Sequence, residues 1–125
     1  MQRIIAILSL LAFALPAGCE QQTKEDVKQP FHQASAQDGA ELINTIGCGG
    51  CHTIPGIRNA NGLVGPPLTK MGRRMFIAGM LRNTPDNMVA WLQDPQAVVP
   101  GNAMPNMGLE RAQAEAITNY LYTLQ

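Results

Sequence analysis

Reactive and charged side chains are scarce in this sequence. Its 125 residues include 3 cysteines, 2 histidines and 1 tryptophan, and charged residues make up 14% of the chain. The formal net charge is +0, so the chain lacks the basic excess with which proteins hold a nucleic-acid backbone. The length suits one small domain rather than two. We therefore expect a single domain that has no nucleic-acid partner.

Long apolar runs are also lacking, apart from one at the N-terminus. That run extends over residues 4–15, follows Arg3, is interrupted only by Ser9 and leads into small residues. This is the layout of an export signal, and it is shorter than the about 20 residues that a bilayer span needs. We predict a signal peptide over residues 1–18, with a buried helix as the other interpretation.

The end of this segment, "LPAGC", resembles a bacterial lipobox, in which the cysteine becomes the lipidated N-terminus. The other two cysteines form a pair of their own, which leaves Cys19 for a role outside the fold. We therefore expect Cys19 to anchor the protein in the periplasm or on the outer face of the cell membrane. Pro16 stands where a lipobox has an aliphatic residue, so ordinary cleavage near Ala17 or Gly18 stays open.

Turn residues and helix signals divide the rest of the chain. Residues 19–35 are polar and glutamine-rich and predict a flexible tether, in which His32 is expected to be solvated rather than a ligand. Residues 36–125 show helical periodicity and no convincing alternation of a strand. We predict an all-α domain over residues 36–125, with four to five short helices and long loops.

Caps and breakers place the expected helices. One helix begins at Ser35 or Asp38 and runs to the cysteines. Another is capped by Thr84, has Pro85 at its first position and is closed by Pro95.

Two further helices are expected, a short one over residues 68–75 and an amphipathic one over residues 109–125. Residues 53–67 and 96–108 are rich in proline and glycine and predict loops. Such a domain is short of core, and a large apolar prosthetic group would supply the missing contacts.

The stretch "GCGGCHTIPG" holds both remaining cysteines and the second histidine. Cys48, Cys51 and His52 form the C-x-x-C-H signature of c-type haem attachment. A short turn through Gly49 and Gly50 can present both sulfurs to the two vinyl groups of one porphyrin, while the next residue directs its imidazole at the iron. The signature predicts one covalently attached haem.

Three other interpretations of these residues remain. A thiol-disulfide exchanger would need a βαβ scaffold that the sequence does not show. A zinc site would need four ligands, and only the remote His32 or an acidic residue is available as the fourth. A structural disulfide would leave His52 unexplained.

The iron needs a second axial ligand, and the candidates are methionines. Most of the 7 methionines are expected to fill core space. In "AMPNMG", however, Met104 lies in a loop directly before Pro105, which restricts the backbone and can present the side chain inward. Met107 is the rival ligand, and we favour Met104.

Taken together, "CGGCH", "GPPL", "AMPNMG" and a terminal helix ending "YLYTL" resemble a class I c-type cytochrome. The stretch from Asn83 to Gly108 is similar to the cytochrome domain fused to subunit II of some bacterial haem-copper oxidases. Neither a copper-binding domain nor a membrane hairpin is recognised ahead of this region, so the resemblance implies the haem domain and not oxidase activity.

The resemblance implies roles for individual residues. Cys48 and Cys51 would form the thioethers, His52 would be the proximal ligand and Met104 the distal ligand. The carbonyl of Pro66 in "GPPL" would accept the proximal imidazole N–H, which fixes the ring and its tautomer. The other interpretation of "GPPL" is a stiff turn.

Trp91 and either Arg73 or Arg74 are candidates to contact the haem propionates. A lone tryptophan in an amphipathic helix can equally belong to the core, and paired arginines can equally lie on the surface.

Two protein ligands leave the iron no vacant position, so we expect outer-sphere transfer of single electrons and no enzyme activity. The expected role is an exported electron carrier of a respiratory chain, with an electron donor and a terminal oxidase as redox partners. The alternative is the electron-transfer subunit of a periplasmic dehydrogenase. An enzyme or gas sensor with a labile distal ligand is a third hypothesis.

Overall fold

The structure is a computed structural model that describes residues 35–125. The predictions for the signal peptide, for Cys19 and for His32 fall on residues outside this range. The described part is mostly helical. In chain order its elements are α1 (Ala36–Ile46), a 3₁₀ turn (Cys48–Gly50), a second 3₁₀ turn (Met71–Arg73), β1 (Phe76–Ile77), β2 (Leu81–Arg82), α2 (Pro85–Gln93), α3 (Pro95–Val98) and α4 (Arg111–Thr123).

Helix α1 begins and ends with the signals that its sequence contains. The Ser35 hydroxyl accepts from the Asp38 N–H at 3.0 Å, and the Asp38 carboxylate accepts from the Ser35 N–H at 3.1 Å. This reciprocal pair satisfies two backbone donors at the N-terminus of the helix. Gly47, at φ 89°, ends the helix directly before Cys48, in a conformation that favours glycine. The expected helix running to the cysteines is confirmed.

Helix α2 also follows the prediction. The loop predicted over residues 96–108 is wrong for residues 96–98, which belong to α3. The Thr84 hydroxyl accepts from the Asn87 N–H at 3.4 Å, and Pro85 occupies the first turn. Pro95 does end α2, but it also begins α3, because the Asp94 carboxylate accepts from the Ala97 N–H at 3.1 Å. A proline at the first helical position loses no hydrogen bond.

The expectation that the domain has no strand is wrong for its middle part, where β1 and β2 form. Only one 3₁₀ turn forms where a helix over residues 68–75 was expected, and a small antiparallel hairpin of β1 and β2 follows. Ala78 and Gly79 both have positive φ, and the Met80 N–H donates to the Ile77 carbonyl. Successive residues with positive φ are typical of the tight turns that connect hairpin strands. Two residues per strand are too few to show alternation in a sequence.

The core forms where α1 crosses α4. A Cβ at Gly39 would lie within 3.0 Å of the backbone of Ala116, so the two helices approach more closely than any larger residue would allow. Ile43 of α1 and Ile117 and Leu121 of α4 are buried beside this crossing. The expected apolar face of the terminal helix is confirmed, although α4 itself begins two residues after Leu109.

The C-terminal helix also closes over the segment that follows the cysteines. The Tyr120 hydroxyl donates to the Pro55 carbonyl at 2.7 Å, across 65 positions of sequence. Gly56 lies directly under the tyrosine, where a Cβ would lie within 3.0 Å of the hydroxyl oxygen. Among residues 35–125, no helix has the length and apolarity to cross a bilayer.

Candidate functional site

A cavity of about 460 Å³ lies between the helices and the long loops. This volume falls within the range of about 300–1,000 Å³ that is typical of small-molecule sites. Its walls are almost entirely apolar, and the helices contribute Ile43 from α1, Met88, Trp91 and Leu92 from α2, and Ile117 and Leu121 from α4. A large apolar group buried here would complete the core of the domain.

The residues predicted to bind the cofactor meet at this cavity. Those that line it are Cys48, Cys51, His52, Pro66 and Met104. Trp91 and Arg74 line it as well, as does the rival methionine Met107. Arg73 does not, and its side chain is exposed. Of the two arginines considered as propionate partners, the structure therefore brings only Arg74 to the cavity.

The two thiols lie on one tight turn directly after α1. The Cys51 and His52 N–H groups both donate to the Cys48 carbonyl, at 3.2 and 3.0 Å. Cys48 is half-buried and Cys51 is exposed, and no disulfide joins them. Burial raises the pKa of the Cys48 thiol, which keeps it protonated at neutral pH.

The imidazole of His52 is oriented by the chain that passes over it. Its Nδ1 atom lies 2.7 Å from the Pro66 carbonyl oxygen. A carbonyl can only accept, so Nδ1 carries a proton, and in the neutral imidazole the lone pair then lies on Nε2, where it can form a ligand bond. Gly65 allows the close approach, because a Cβ there would lie within 3.0 Å of the ring.

The loop that carries Pro66 is itself held from the other side by Arg74. A terminal nitrogen of its guanidinium donates to the Pro67 carbonyl and, at 3.0 Å, to the Thr69 carbonyl. Arg74 therefore has a structural contact at the site in addition to its position in the cavity wall.

Both candidate distal ligands lie in the loop between α3 and α4. Met104 is half-buried, whereas the side chain of Met107 is 41% exposed. The backbone of Met104 is held on both sides by side-chain amides: its N–H donates to Asn102 at 2.7 Å, and its carbonyl accepts from Gln96 at 3.0 Å. The sequence analysis missed both amides. Both lie within residues 96–108, and the proline and glycine content of that stretch was the signal that could have indicated them.

The alternatives to haem find no support among residues 35–125. No group of three or more histidine, cysteine and acidic side chains in this part of the chain could hold a metal ion, as a zinc site requires. The described sheet is an antiparallel hairpin of two strands with two residues each, which is not the βαβ scaffold of a thiol-disulfide exchanger. A small helical domain with two thiols and an imidazole at an apolar cavity has the architecture of a protein that holds haem covalently.

Comparison with known proteins agrees with this class. The family model for cytochrome c matches residues 36–125. The chain belongs to the cytochrome c family, as a class I c-type cytochrome.

Three similar proteins are each named cytochrome c oxidase subunit 2. The protein from Alkalihalophilus pseudofirmus is 35% identical over 101 residues, which cover 80% of this chain and 28% of the relative. The protein from Bacillus sp. (strain PS3) is 36% identical over 105 residues, 81% of this chain and 30% of the relative. The protein from Bacillus subtilis (strain 168) is 34% identical over 104 residues, 80% of this chain and 29% of the relative. The matched region thus spans less than a third of these relatives.

Membership of the family implies a covalently bound haem c. The described residues fit that group, because the cavity is apolar and two thiols with the required spacing lie in its wall. The expected cofactor is confirmed, and so is the resemblance to the cytochrome domain of oxidase subunit II.

Proposed function

We propose that this domain carries single electrons in a respiratory chain and passes them to a terminal oxidase. The observation that carries the proposal is the meeting of a thiol pair, an imidazole and a methionine thioether at one apolar cavity. The names of the similar proteins, all oxidase subunits, support the choice of acceptor.

Each site residue has a distinct role in this proposal. Cys48 and Cys51 would hold the haem through thioethers, and His52, through Nε2, and Met104 would be the protein ligands of its iron. The Pro66 carbonyl accepts from Nδ1 of His52, which selects the tautomer of the neutral ring that has its lone pair on Nε2 and fixes the orientation of the ring. The bound haem supplies an iron centre that gains and loses one electron, and a methionine ligand opposite a histidine raises its reduction potential.

The same ligand set argues for electron transfer rather than catalysis. With His52 and Met104 as its protein ligands, the iron would keep no open coordination position for a substrate or for oxygen. The apolar cavity also favours the reduced haem, because the oxidised form carries one more positive charge and is costlier to bury.

Electron transfer also requires an edge of the site that a partner can reach. Val64, Phe76 and Met107 line the cavity and are at the same time exposed, with 78%, 53% and 41% of their surface accessible. These three side chains form an apolar rim suited to small, short-lived contacts with a redox partner. In the proposal, Cys19 provides a lipid anchor that keeps this rim near the outer face of the cell membrane.

A second candidate is the electron-transfer subunit of a periplasmic dehydrogenase. The matched region covers only 28% to 30% of each oxidase subunit, so the similarity concerns the haem domain, which a dehydrogenase could use as well as an oxidase. The two candidates share the cofactor, the ligands and the exported location. They differ in the direction of electron flow: an oxidase would receive electrons from this domain, whereas a dehydrogenase would donate electrons to it.

The experiment that tests the cofactor roles is expression with a c-type haem maturation system, followed by mass spectrometry and a pyridine haemochrome assay. We expect one added haem mass in the wild type and none in the Cys48→Ser/Cys51→Ser double variant. A wild-type protein without added haem would contradict the proposal.

The acceptor is tested with the reduced holoprotein. We expect rapid oxidation by a purified haem-copper oxidase under air, monitored through the haem absorbance. Slow oxidation, combined with rapid reduction by a co-purifying dehydrogenase, would favour the second candidate.

A further inference from the structure

The loop that carries Met104 is fastened to the short helix α3 by the side-chain amide of Gln96. The Gln96 Nε2 atom donates to the carbonyls of Asn102 and Met104, both at 3.0 Å. Its Oε1 atom accepts from the Gly101 N–H at 3.0 Å. Both amide hydrogens and the amide oxygen are therefore engaged by the backbone of one loop.

Asn102 supplies the complementary half of this arrangement. Its Nδ2 atom donates to the carbonyls of Pro95 and Val99, at 2.8 and 2.7 Å, which ties the loop back to the two ends of α3. Its Oδ1 atom accepts from the Met104 N–H at 2.7 Å. Gln96 and Asn102 are both half-buried, so water competes less for these hydrogen bonds than on an open surface.

These hydrogen bonds restrict the backbone of Met104 and therefore the position of its side chain. Both backbone polar groups of this residue are held, one by Asn102 and one by Gln96, and Pro105 restricts the backbone directly after it. Only the side-chain torsions of Met104 remain to be ordered when the thioether binds. A ligand that is already held in its bound position pays less entropy on binding.

We propose that Gln96 is a positioning residue for the distal ligand: its amide holds the Met104 loop at the cavity and so limits how often the thioether leaves the iron. This inference rests on the proposed ligation by Met104. It adds a residue outside the C-x-x-C-H and methionine motifs, one that does not itself line the cavity.

The test uses oxidised holoprotein and the variants Gln96→Ala and Gln96→Glu. Alanine removes all three hydrogen bonds, whereas glutamate keeps the size and an acceptor for Gly101 but lacks the two donated hydrogens when ionised. Cyanide can bind the iron only after the thioether has left, so its binding rate reports the opening of the Met104 bond. Each lost hydrogen bond costs about 1 kcal/mol and a factor of ten corresponds to about 1.4 kcal/mol, so losing two or three of them should let cyanide bind Gln96→Ala roughly tenfold to a hundredfold faster than wild type.

The matched control is Gln37→Ala, which removes an exposed amide from α1, on another part of the fold. We expect wild-type cyanide binding for Gln37→Ala and faster binding for both Gln96 variants. Haem content should be unchanged in all three, and the sulfur-to-iron charge-transfer band should be weakened only in the Gln96 variants. Wild-type cyanide rates and an unchanged band in both Gln96 variants would overturn the inference.

The outcome separates this inference from the proposed function. If the wild type itself lacks the charge-transfer band, ligation by Met104 fails and the inference fails with it. If the wild type has the band and the Gln96 variants behave like wild type, only the role of Gln96 is wrong.

A measurement on the wild type alone covers the case in which the variants do not accumulate. The Gly101 and Met104 amides donate only to side-chain oxygens of Gln96 and Asn102. We expect both to exchange with deuterium at least about tenfold more slowly than in an unstructured peptide. Exchange of these two amides at the unstructured rate would overturn the inference.

Discussion

The Nδ1 atom of His52 and the carbonyl oxygen of Pro66 lie 2.7 Å apart, although 14 positions of sequence separate the two residues. Gly65, directly before Pro66, lies against the imidazole ring. The Gly65 N–H donates to the Cys51 carbonyl at 2.8 Å. The segment that orients the ring is therefore also bonded to the turn that carries the thiols. A change in this segment should therefore shift both the His52 ring and the turn that carries the thiols.

The first prediction concerns Gly65→Ala. The added methyl would lie within 3.0 Å of three atoms of the His52 ring, so either the ring or the loop must move. We expect the holoprotein to lose about 1–3 kcal/mol of its free energy of unfolding, measured with denaturant. Gly50→Ala is the control, because nothing lies within 4 Å of a Cβ at that position. Equal stability of the two variants would contradict the prediction.

The second prediction distinguishes the two methionines of the cavity. Replacing Met104 by alanine should abolish the sulfur-to-iron charge-transfer band of the oxidised protein and lower its reduction potential. Met107→Ala should keep both the band and the potential. Redox titration followed by absorbance measures both quantities, and the reverse pattern would assign the ligand to Met107.

The third prediction concerns the crossing of α1 and α4. A methyl at Gly39 would meet the backbone of Ala116, which cannot turn away as a side chain can. We expect Gly39→Ala to lower the free energy of unfolding by about 1–3 kcal/mol, despite the better helix propensity of alanine. Asn44→Ala, at an exposed position of the same helix, should change it by less than about 0.5 kcal/mol. A stabilised Gly39→Ala variant would show that the helices can move apart freely.

The fourth prediction is a pH dependence. The Tyr122 hydroxyl donates to Asn83 at 2.7 Å, and burial raises the pKa of Tyr122 above its usual range. The folded state therefore favours the protonated phenol, and this stability is fully present below the unfolded pKa of about 10 and lost as the pH rises through the folded value.

The measurement compares wild type with Tyr122→Phe in urea at several pH values. Near neutral pH the variant should be less stable by about 1 kcal/mol, because it lacks one hydrogen bond. The difference should shrink as the pH rises above about 10, since the unfolded wild type then releases its proton more readily. A difference that stays constant at alkaline pH would contradict this linkage.

Local signals explain why much of this fold could be predicted. Ser35, Thr84 and Pro85 act within three residues of their own positions, so the starts of α1 and α2 can be read from the sequence. The haem motif is equally local, since its three binding residues lie on one turn. Both predictions depend on short stretches of chain and not on the packing of distant elements.

The remaining features depend on contacts that no short stretch contains. The hairpin of β1 and β2 has two residues in each strand, which is too short for a pattern. The role of Gln96 depends on the chain reversing at Gly101 and bringing Met104 back toward α3. Asp94 and Pro95 carry the same local signal as Thr84 and Pro85, but Pro95 also ends α2, and interpreting it only as the end of a helix conceals the start of α3.

The bond between Tyr120 and Pro55 has a consequence for biosynthesis. Helix α4 comes later in the chain than the cysteine turn, and it supplies the hydroxyl that closes over the segment after the cysteines, as well as Ile117 and Leu121 of the cavity wall. Until α4 packs, this side of the domain is open. The folded domain leaves Cys51 exposed but half-buries Cys48, so a maturation enzyme reaches Cys48 more readily before the domain closes than after it.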